Sequence, residues 1–139
     1  MTPSILEKSL FLKADAETVW RYLTDPGGLE TWFHRPDVPL EVGQRYSMCS
    51  AGGTPITGEV LRAEAPEYLE YTFHVPPMGE SISTVKWRIT PVAGGCKLSL
   101  IHEGLPQEAA AFGLVLALDA GWEEHFGKMR SALDQLLAA

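Results

Sequence analysis

The spacing of apolar and polar positions changes character twice along this chain. From Leu40 to Glu103 the two alternate. Tyr46 and Met48 alternate with Arg45 and Ser47, and Leu69, Tyr71 and Phe73 with Glu70, Thr72 and His74. Val85, Trp87 and Ile89 alternate with Lys86 and Arg88, and Leu98, Leu100 and His102 with Lys97, Ser99 and Ile101. Successive side chains of a strand point to opposite faces, so the pattern predicts strands with one apolar and one polar face. Sheets of that kind are antiparallel and wetted on one side. Gly52-Gly53, Pro66, Pro76-Pro77 and Gly94-Gly95 separate the runs, and connections this short join antiparallel neighbours. The reading is a meander, to which the imperfectly alternating segment Ile5 to Lys13 adds an N-terminal strand, making about six strands in all.

On either side of the meander the spacing is helical. Asp15 can cap the free N–H groups of a helix that begins at Ala16, and Glu17 in its first turn is favoured by the macrodipole. Val19, Trp20 and Leu23 form its apolar stripe. Thr24-Asp25-Pro26-Gly27-Gly28 then stops it, and a second short helix, Leu29 to Phe33, carries Trp32 and Phe33. After the meander, Pro106 suits a first helical position, and Gly113 allows either one long helix or two. From Leu118 the stripe is strong: Leu118, Trp122, His125, Phe126, Met129, Leu133 and Leu136 share one face, and Asp119, Glu123, Lys128, Arg130 and Asp134 lie elsewhere. Such a stripe must be buried, and the apolar face of the sheet is the large partner available. At about 25 cal/mol per Å², burial of Trp122 and Phe126 alone contributes several kcal/mol. The fold class is α+β, in a single domain spanning residues 1–139.

Composition narrows the function classes. An apolar fraction of 45% and a charged fraction of 21% are ordinary for a globular chain rather than a disordered one. The net charge is −7 and the basic residues are scattered singly. Nucleic-acid binders gather Lys and Arg on one face, so no nucleic-acid partner is expected. The same deficit argues against an anionic membrane surface. The N-terminus, MTPSILEKSL, lacks the basic and apolar regions of a signal peptide. With two widely separated cysteines, Cys49 and Cys96, this predicts reduced thiols and a cytoplasmic setting. The longest apolar run, Ala109 to Leu118, is too short for a membrane span of about 20 residues. It is a buried helix or an interface instead, and as an interface it is a candidate homodimer contact.

The order of elements, together with particular strings, resembles a known family. The strings are Ala14-Asp15-Ala16-Glu17-Thr18-Val19-Trp20, Leu23-Thr24-Asp25-Pro26, Trp32-Phe33, Gly58-Glu59-Val60 and Tyr71-Thr72-Phe73. Leu98-Ser99-Leu100-Ile101-His102-Glu103-Gly104-Leu105 and Gly121-Trp122 complete the set. Together they resemble the START-related (SRPBCC) superfamily and, within it, homologues of the C-terminal domain of the heat-shock-protein-90 ATPase activator. The resemblance implies a helix-grip fold: a curved antiparallel sheet wrapped around a long C-terminal helix, two short helices after the first strand, and a cavity between helix and sheet. It implies a hydrophobic or aromatic small molecule in that cavity. It also implies two alternatives: a chaperone partner, or cyclase- or hydrolase-type chemistry in the same space. The activator's additional N-terminal domain, which contributes to engaging the chaperone, has no counterpart here, and this places the chaperone role second.

The residues favour binding over catalysis, and no catalytic residue is assigned. The four histidines, His34, His74, His102 and His125, include no pair at the spacing that puts metal ligands on one helical face. There is no Cys-x-x-Cys and no His-Glu-x-x-His, so neither a metal nor another cofactor is expected. No Gly-x-Ser-x-Gly elbow is present. Cys96 and His102 share a strand but lie roughly 20 Å apart at about 3.3 Å per residue. The candidate ligand-binding residues are the inward-reading Tyr46, Tyr71, Phe73, Trp87, Trp122 and Phe126, with the polar His102, His125 and Arg62. His102 is either a polar anchor in the cavity or a histidine hydrogen-bonded at the sheet–helix junction. Arg62, reading inward with Ile56, Gly58 and Val60, is either a carboxylate anchor or an arginine snorkelling to water. Gly58 predicts a bulge or a close approach of the helix. Trp32 and Phe33 are either a gate or the apolar edge of the second helix. The large aromatics either line a pocket or fill it.

Overall fold

In a computed structural model of the chain, residues 4–107 and 111–138 are described, with side chains to residue 134 in the last helix. Strand β1, Leu6–Leu12, buries Leu6, Leu10 and Leu12 on one face and exposes Glu7, Ser9 and Phe11 on the other. Helix α1, Ala16–Thr24, begins where the Asp15 carboxylate accepts the Thr18 N–H at 2.8 Å. It buries Val19 and Leu23 completely. Asp25 ends α1 and starts α2, Pro26–Trp32, so the second helix opens at Pro26 rather than Leu29. The Pro-Gly-Gly string breaks the chain's direction without a loop, because proline's missing N–H costs nothing at a first helical position.

The strands that follow are β2, Arg45–Cys49; β3, Pro55–Glu64; β4, Tyr68–Phe73; β5, Ser83–Val92; and β6, Gly95–Glu103. They form one antiparallel sheet of six strands in the order β1-β6-β5-β4-β3-β2. The last element, α3, is a single helix, Phe112–Ala138, which Gly113 does not interrupt. Pro106 lies ahead of it, outside any helix, rather than at its first position. Trp122, Phe126, Met129 and Leu133 are buried against the concave face of the sheet. Lys8, which points inward from the edge strand β1, holds α3 in place through Asp119 at 2.8 Å and Glu123 at 2.6 Å. An inward charge on an edge strand also discourages pairing with another chain. The architecture is the α+β helix-grip arrangement.

Two local features depart from the simple alternation. The β3–β4 ladder shifts by one residue between Val60 and Arg62. This bulge carries Arg62 to the outer face, where its side chain is 55% exposed and pairs with Glu64. Its guanidinium sits 4.6 Å from the centre of the Tyr68 ring. Arg62 is therefore not a carboxylate anchor of the interior, because one inserted residue inverts the faces of everything after it. At Gly58 the neighbour that comes close is the backbone of β4 rather than the helix. A Cβ there would overlap the Thr72 carbonyl oxygen and lie 2.7 Å from the Tyr46 hydroxyl, which donates to that same carbonyl at 2.6 Å.

The run Ala109 to Leu118 lies partly outside the described residues. Within its described part Val115 is buried, Leu114 and Leu118 pack on the core, and Phe112 and Leu116 are exposed. Cys49 is exposed and Cys96 buried, on opposite faces of the sheet, and both are free thiols. Among the described residues no helix is long and apolar enough to cross a membrane.

Candidate functional site

The alternation of β6 places His102 on the inner face with no exposed surface, and its hydrogen bonds define its state. Trp122 Nε1–H donates to His102 Nδ1 at 3.1 Å. The Ser83 hydroxyl donates its proton to the Phe73 carbonyl at 2.7 Å, so at 2.8 Å from His102 Nε2 it must act as acceptor. His102 is thus a neutral imidazole protonated on Nε2, with every polar atom of the chain Trp122–His102–Ser83–Phe73 satisfied. Burial pushes its pKa down to about 4. A second proton on Nδ1 would face the indole N–H, donor against donor. This histidine ties helix α3 to the sheet and does not line the cavity; Trp122 and Phe73, which pack on it, do.

The remaining inward aromatics divide into packed core and open lining. Trp87 and Tyr71 are 1% and 3% exposed, and Trp87 Nε1–H donates to the Tyr71 hydroxyl at 3.0 Å. Tyr46 meets Tyr71 edge-on at 5.4 Å. Phe126 packs on Trp87 at 5.9 Å and on Trp122 at 6.2 Å. Burial pushes the Tyr46 and Tyr71 hydroxyls far above the ordinary range. Tyr46, Tyr71, Trp87 and Phe126 therefore pack against one another between helix and sheet, and none of the four lines the apolar cavity under α3. Tyr71→Phe is expected to cost about 1–3 kcal/mol, because it strands the buried Trp87 N–H. A urea midpoint reads that loss, and ligand uptake by the variant should be unchanged.

The void lies one layer further on, between the first half of α3 and the β2–β4 end of the sheet. It is a cavity of about 330 Å³. The helix contributes Leu114, Ala117, Leu118, Gly121, Trp122 and His125. Their spacing of three and four residues places them on one face. The hairpin between β2 and β3 contributes Ser50, Thr54 and Ile56; the end of β4 and the 3-10 turn Pro76–Met78 contribute Phe73, Val75 and Pro77. Phe33 and His34, just after α2, complete the wall. Of the residues expected from the sequence, Phe73, Trp122 and His125 are brought together here. Phe33 does stand at the cavity, stacked on Trp122 at 5.2 Å and 16°, whereas Trp32 is buried with its indole N–H on the Tyr22 carbonyl.

Gly121 adds to the void. A Cβ built on it meets no heavy atom within 4 Å, so the helix there presents bare backbone to open space. His34, Ser50, Thr54 and Gly121 were not singled out from the sequence as site residues. The signal for Gly121 was present, as a gap one position before Trp122 on the apolar stripe. The hairpin residues carry no comparable signal, because their place depends on how far the sheet curls.

Two histidines are the polar groups nearest the helix. His125 Nδ1 donates to the Trp32 carbonyl at 3.0 Å, which leaves Nε2 as an acceptor. Burial lowers its pKa, against the effect of the Trp32 carbonyl. His34 packs edge-on to it at 5.1 Å. Burial, with His125 and the Lys128 cation nearby, pushes His34 down to about 4. Both rings are neutral at pH 7. The lining contains no Asp, Glu, Lys or Arg among the described residues, and no cluster of three or more His, Cys, Asp or Glu there could hold a metal ion. The arrangement suits apolar and aromatic matter with a few hydrogen bonds.

A helix-grip domain with a cavity under its long helix defines a broad class, and comparison with known proteins places the chain within it. The family model described as Activator of Hsp90 ATPase homolog 1-like protein matches residues 13–134, and the chain belongs to that family. Among solved structures it is similar to protein MLL2253 from Mesorhizobium loti, with a TM-score of 0.83 and 27% identity over 95% of this chain and 98% of that one. Protein CV1439 from Chromobacterium violaceum aligns with a TM-score of 0.78 and 21% identity, covering 95% and 98% of the two chains. DynU16, a protein of the dynemicin biosynthetic locus, aligns with a TM-score of 0.84 and 20% identity over 96% of this chain. The chain spans 48% of the length of DynU16. At the two lower identities the likeness is one of fold. No curated protein matches the chain.

Proposed function

We propose that this protein binds a hydrophobic or aromatic small molecule in the cavity between α3 and the β2–β4 end of the sheet. One observation carries the reading: an apolar, aromatic space of about 330 Å³ that Gly121 leaves unfilled. The space opens to solvent past the exposed Thr54, Pro77 and Ala117, and it falls within the range of about 300–1,000 Å³ found for ligand sites. That DynU16 comes from a biosynthetic locus agrees with a role in small-molecule chemistry. The two neutral histidines that line the cavity, His34 and His125, have no Asp, Glu, Lys or Arg beside them in the lining among the described residues, which favours binding over cyclase- or hydrolase-type catalysis. Native mass spectrometry of gently purified protein, with a thermal-shift screen of lipids and aromatic metabolites, tests the proposal. A ligand at one hundred times its Kd stabilises by about 2.7 kcal/mol, and the shift should vanish on filling the cavity at position 121. Equal shifts in the parent and the filled variant would refute the site.

The family description supports a second reading, interaction with a chaperone ATPase. ATP turnover by the cognate chaperone, with and without this protein, tests it. Unchanged turnover at saturation would end it.

A further inference from the structure

We infer that the molecule held in the cavity is uncharged, built on a flat ring system, and donates a hydrogen bond from a hydroxyl or N–H to Nε2 of His125. This rests on the binding proposal above and adds the chemistry by which the site would choose its ligand.

The absence of charge follows from the lining. Among the described residues the cavity has no cationic side chain to meet a carboxylate and no anionic one to meet an amine. A buried charge without a partner is strongly disfavoured. Lys128, the cation whose field reaches both histidines, does not line the cavity; its side chain is 55% exposed and lies 3.7 Å from the Glu124 carboxylate.

The donor requirement follows from a fixed tautomer. The Trp32 carbonyl holds the proton of His125 on Nδ1, so a neutral His125 can only accept at Nε2. No partner occupies that nitrogen among the described residues. The Ser50 hydroxyl accepts the Thr54 N–H at 3.1 Å and keeps its own proton free, so it suits a ligand acceptor rather than a ligand donor. His34 has no hydrogen-bond partner among the described residues to fix its tautomer and serves donors and acceptors alike, so the preference for a donor resides in His125. Flatness follows from the aromatic part of the lining, Phe33, Phe73 and Trp122, against which a ring packs better than a branched chain.

Three probes of matched size separate these demands: 1-naphthol, 1-methoxynaphthalene and 1-naphthoate, titrated calorimetrically at pH 7.5. 1-Naphthol should bind about tenfold more tightly than 1-methoxynaphthalene, the worth of one net hydrogen bond, and 1-naphthoate should bind more weakly than either. His125→Phe should bring naphthol down to the level of the ether while the ether's own affinity is retained, which also shows the variant folded with its cavity intact. Naphthoate binding as tightly as naphthol, or a naphthol preference unchanged in His125→Phe, would overturn the inference. If naphthol and the ether bind equally and Gly121→Leu abolishes both, the cavity is a binding site but this account of its selectivity is wrong. If no probe binds at millimolar concentration, both proposals fall.

Discussion

Gly121→Leu is expected to raise the melting temperature by several degrees and to weaken ligand binding at least about 100-fold, close to 2.7 kcal/mol. Both effects have one cause. Glycine inside a helix is less favourable than alanine by about 1 kcal/mol, and here nothing lies within 4 Å of the missing Cβ to oppose a side chain. A leucine would enter apolar space between Leu118, Trp122 and His125 on the helix and Phe73 on the sheet. Burying it contributes about 1.5–3 kcal/mol. The natural chain forgoes that stability, as binding proteins do when function needs an unfilled site. Differential scanning calorimetry and a ligand titration on the same two samples check the pair of effects. A variant that is destabilised, or that still binds as the parent does, would show that the space next to Gly121 is not the ligand's.

The second large effect concerns pH. Stability is expected to fall by about 3 kcal/mol between pH 6.5 and 4, through His102. In the folded protein burial holds this imidazole at about 4, while in the unfolded chain it titrates at its ordinary value near 6.5. Above that value neither state binds the proton, and the contribution is fully present. Between the two values the unfolded chain takes up a proton that the native state refuses, so stability is lost as pH falls. His34, also held near 4, acts in the same direction. Urea midpoints at pH 7.5, 6, 5 and 4.5 measure the slope. His102→Gln, whose amide can donate to Ser83, should lower stability at pH 7.5 and flatten the slope. A slope as steep in the variant as in the parent would show that other groups carry it.

The architecture was legible because each level of the sequence agreed with the next. Alternation gave β4, β5 and β6 with their faces, Asp15 gave the start of α1, and the stripe from Leu118 to Leu133 gave the helix that closes the sheet. Arg62 failed because a bulge is a single inserted residue that alternation cannot see, yet it reverses the faces beyond it. The state of His102 was beyond reach for a different reason. Its tautomer is set by Ser83, which only the pairing of β5 with β6 brings near. The candidate site was found in part. Trp122, Phe73 and His125 line the cavity, while Tyr46, Tyr71, Trp87 and Phe126, equally inward, interlock. Periodicity tells which face a side chain takes; whether that layer is filled depends on side-chain volumes meeting across the fold. At Gly121 the volume is missing.

The most direct test of the cavity is an NMR measurement of intermolecular NOEs from 1-naphthol to methyl-labelled protein. The account predicts contacts to Ile56, Val75 and Leu118, which line the cavity, and none to Leu98 and Leu100, which lie buried deeper in the sheet. Contacts confined to the exposed Leu61 and Ile82, or no contacts at saturating naphthol, would contradict it.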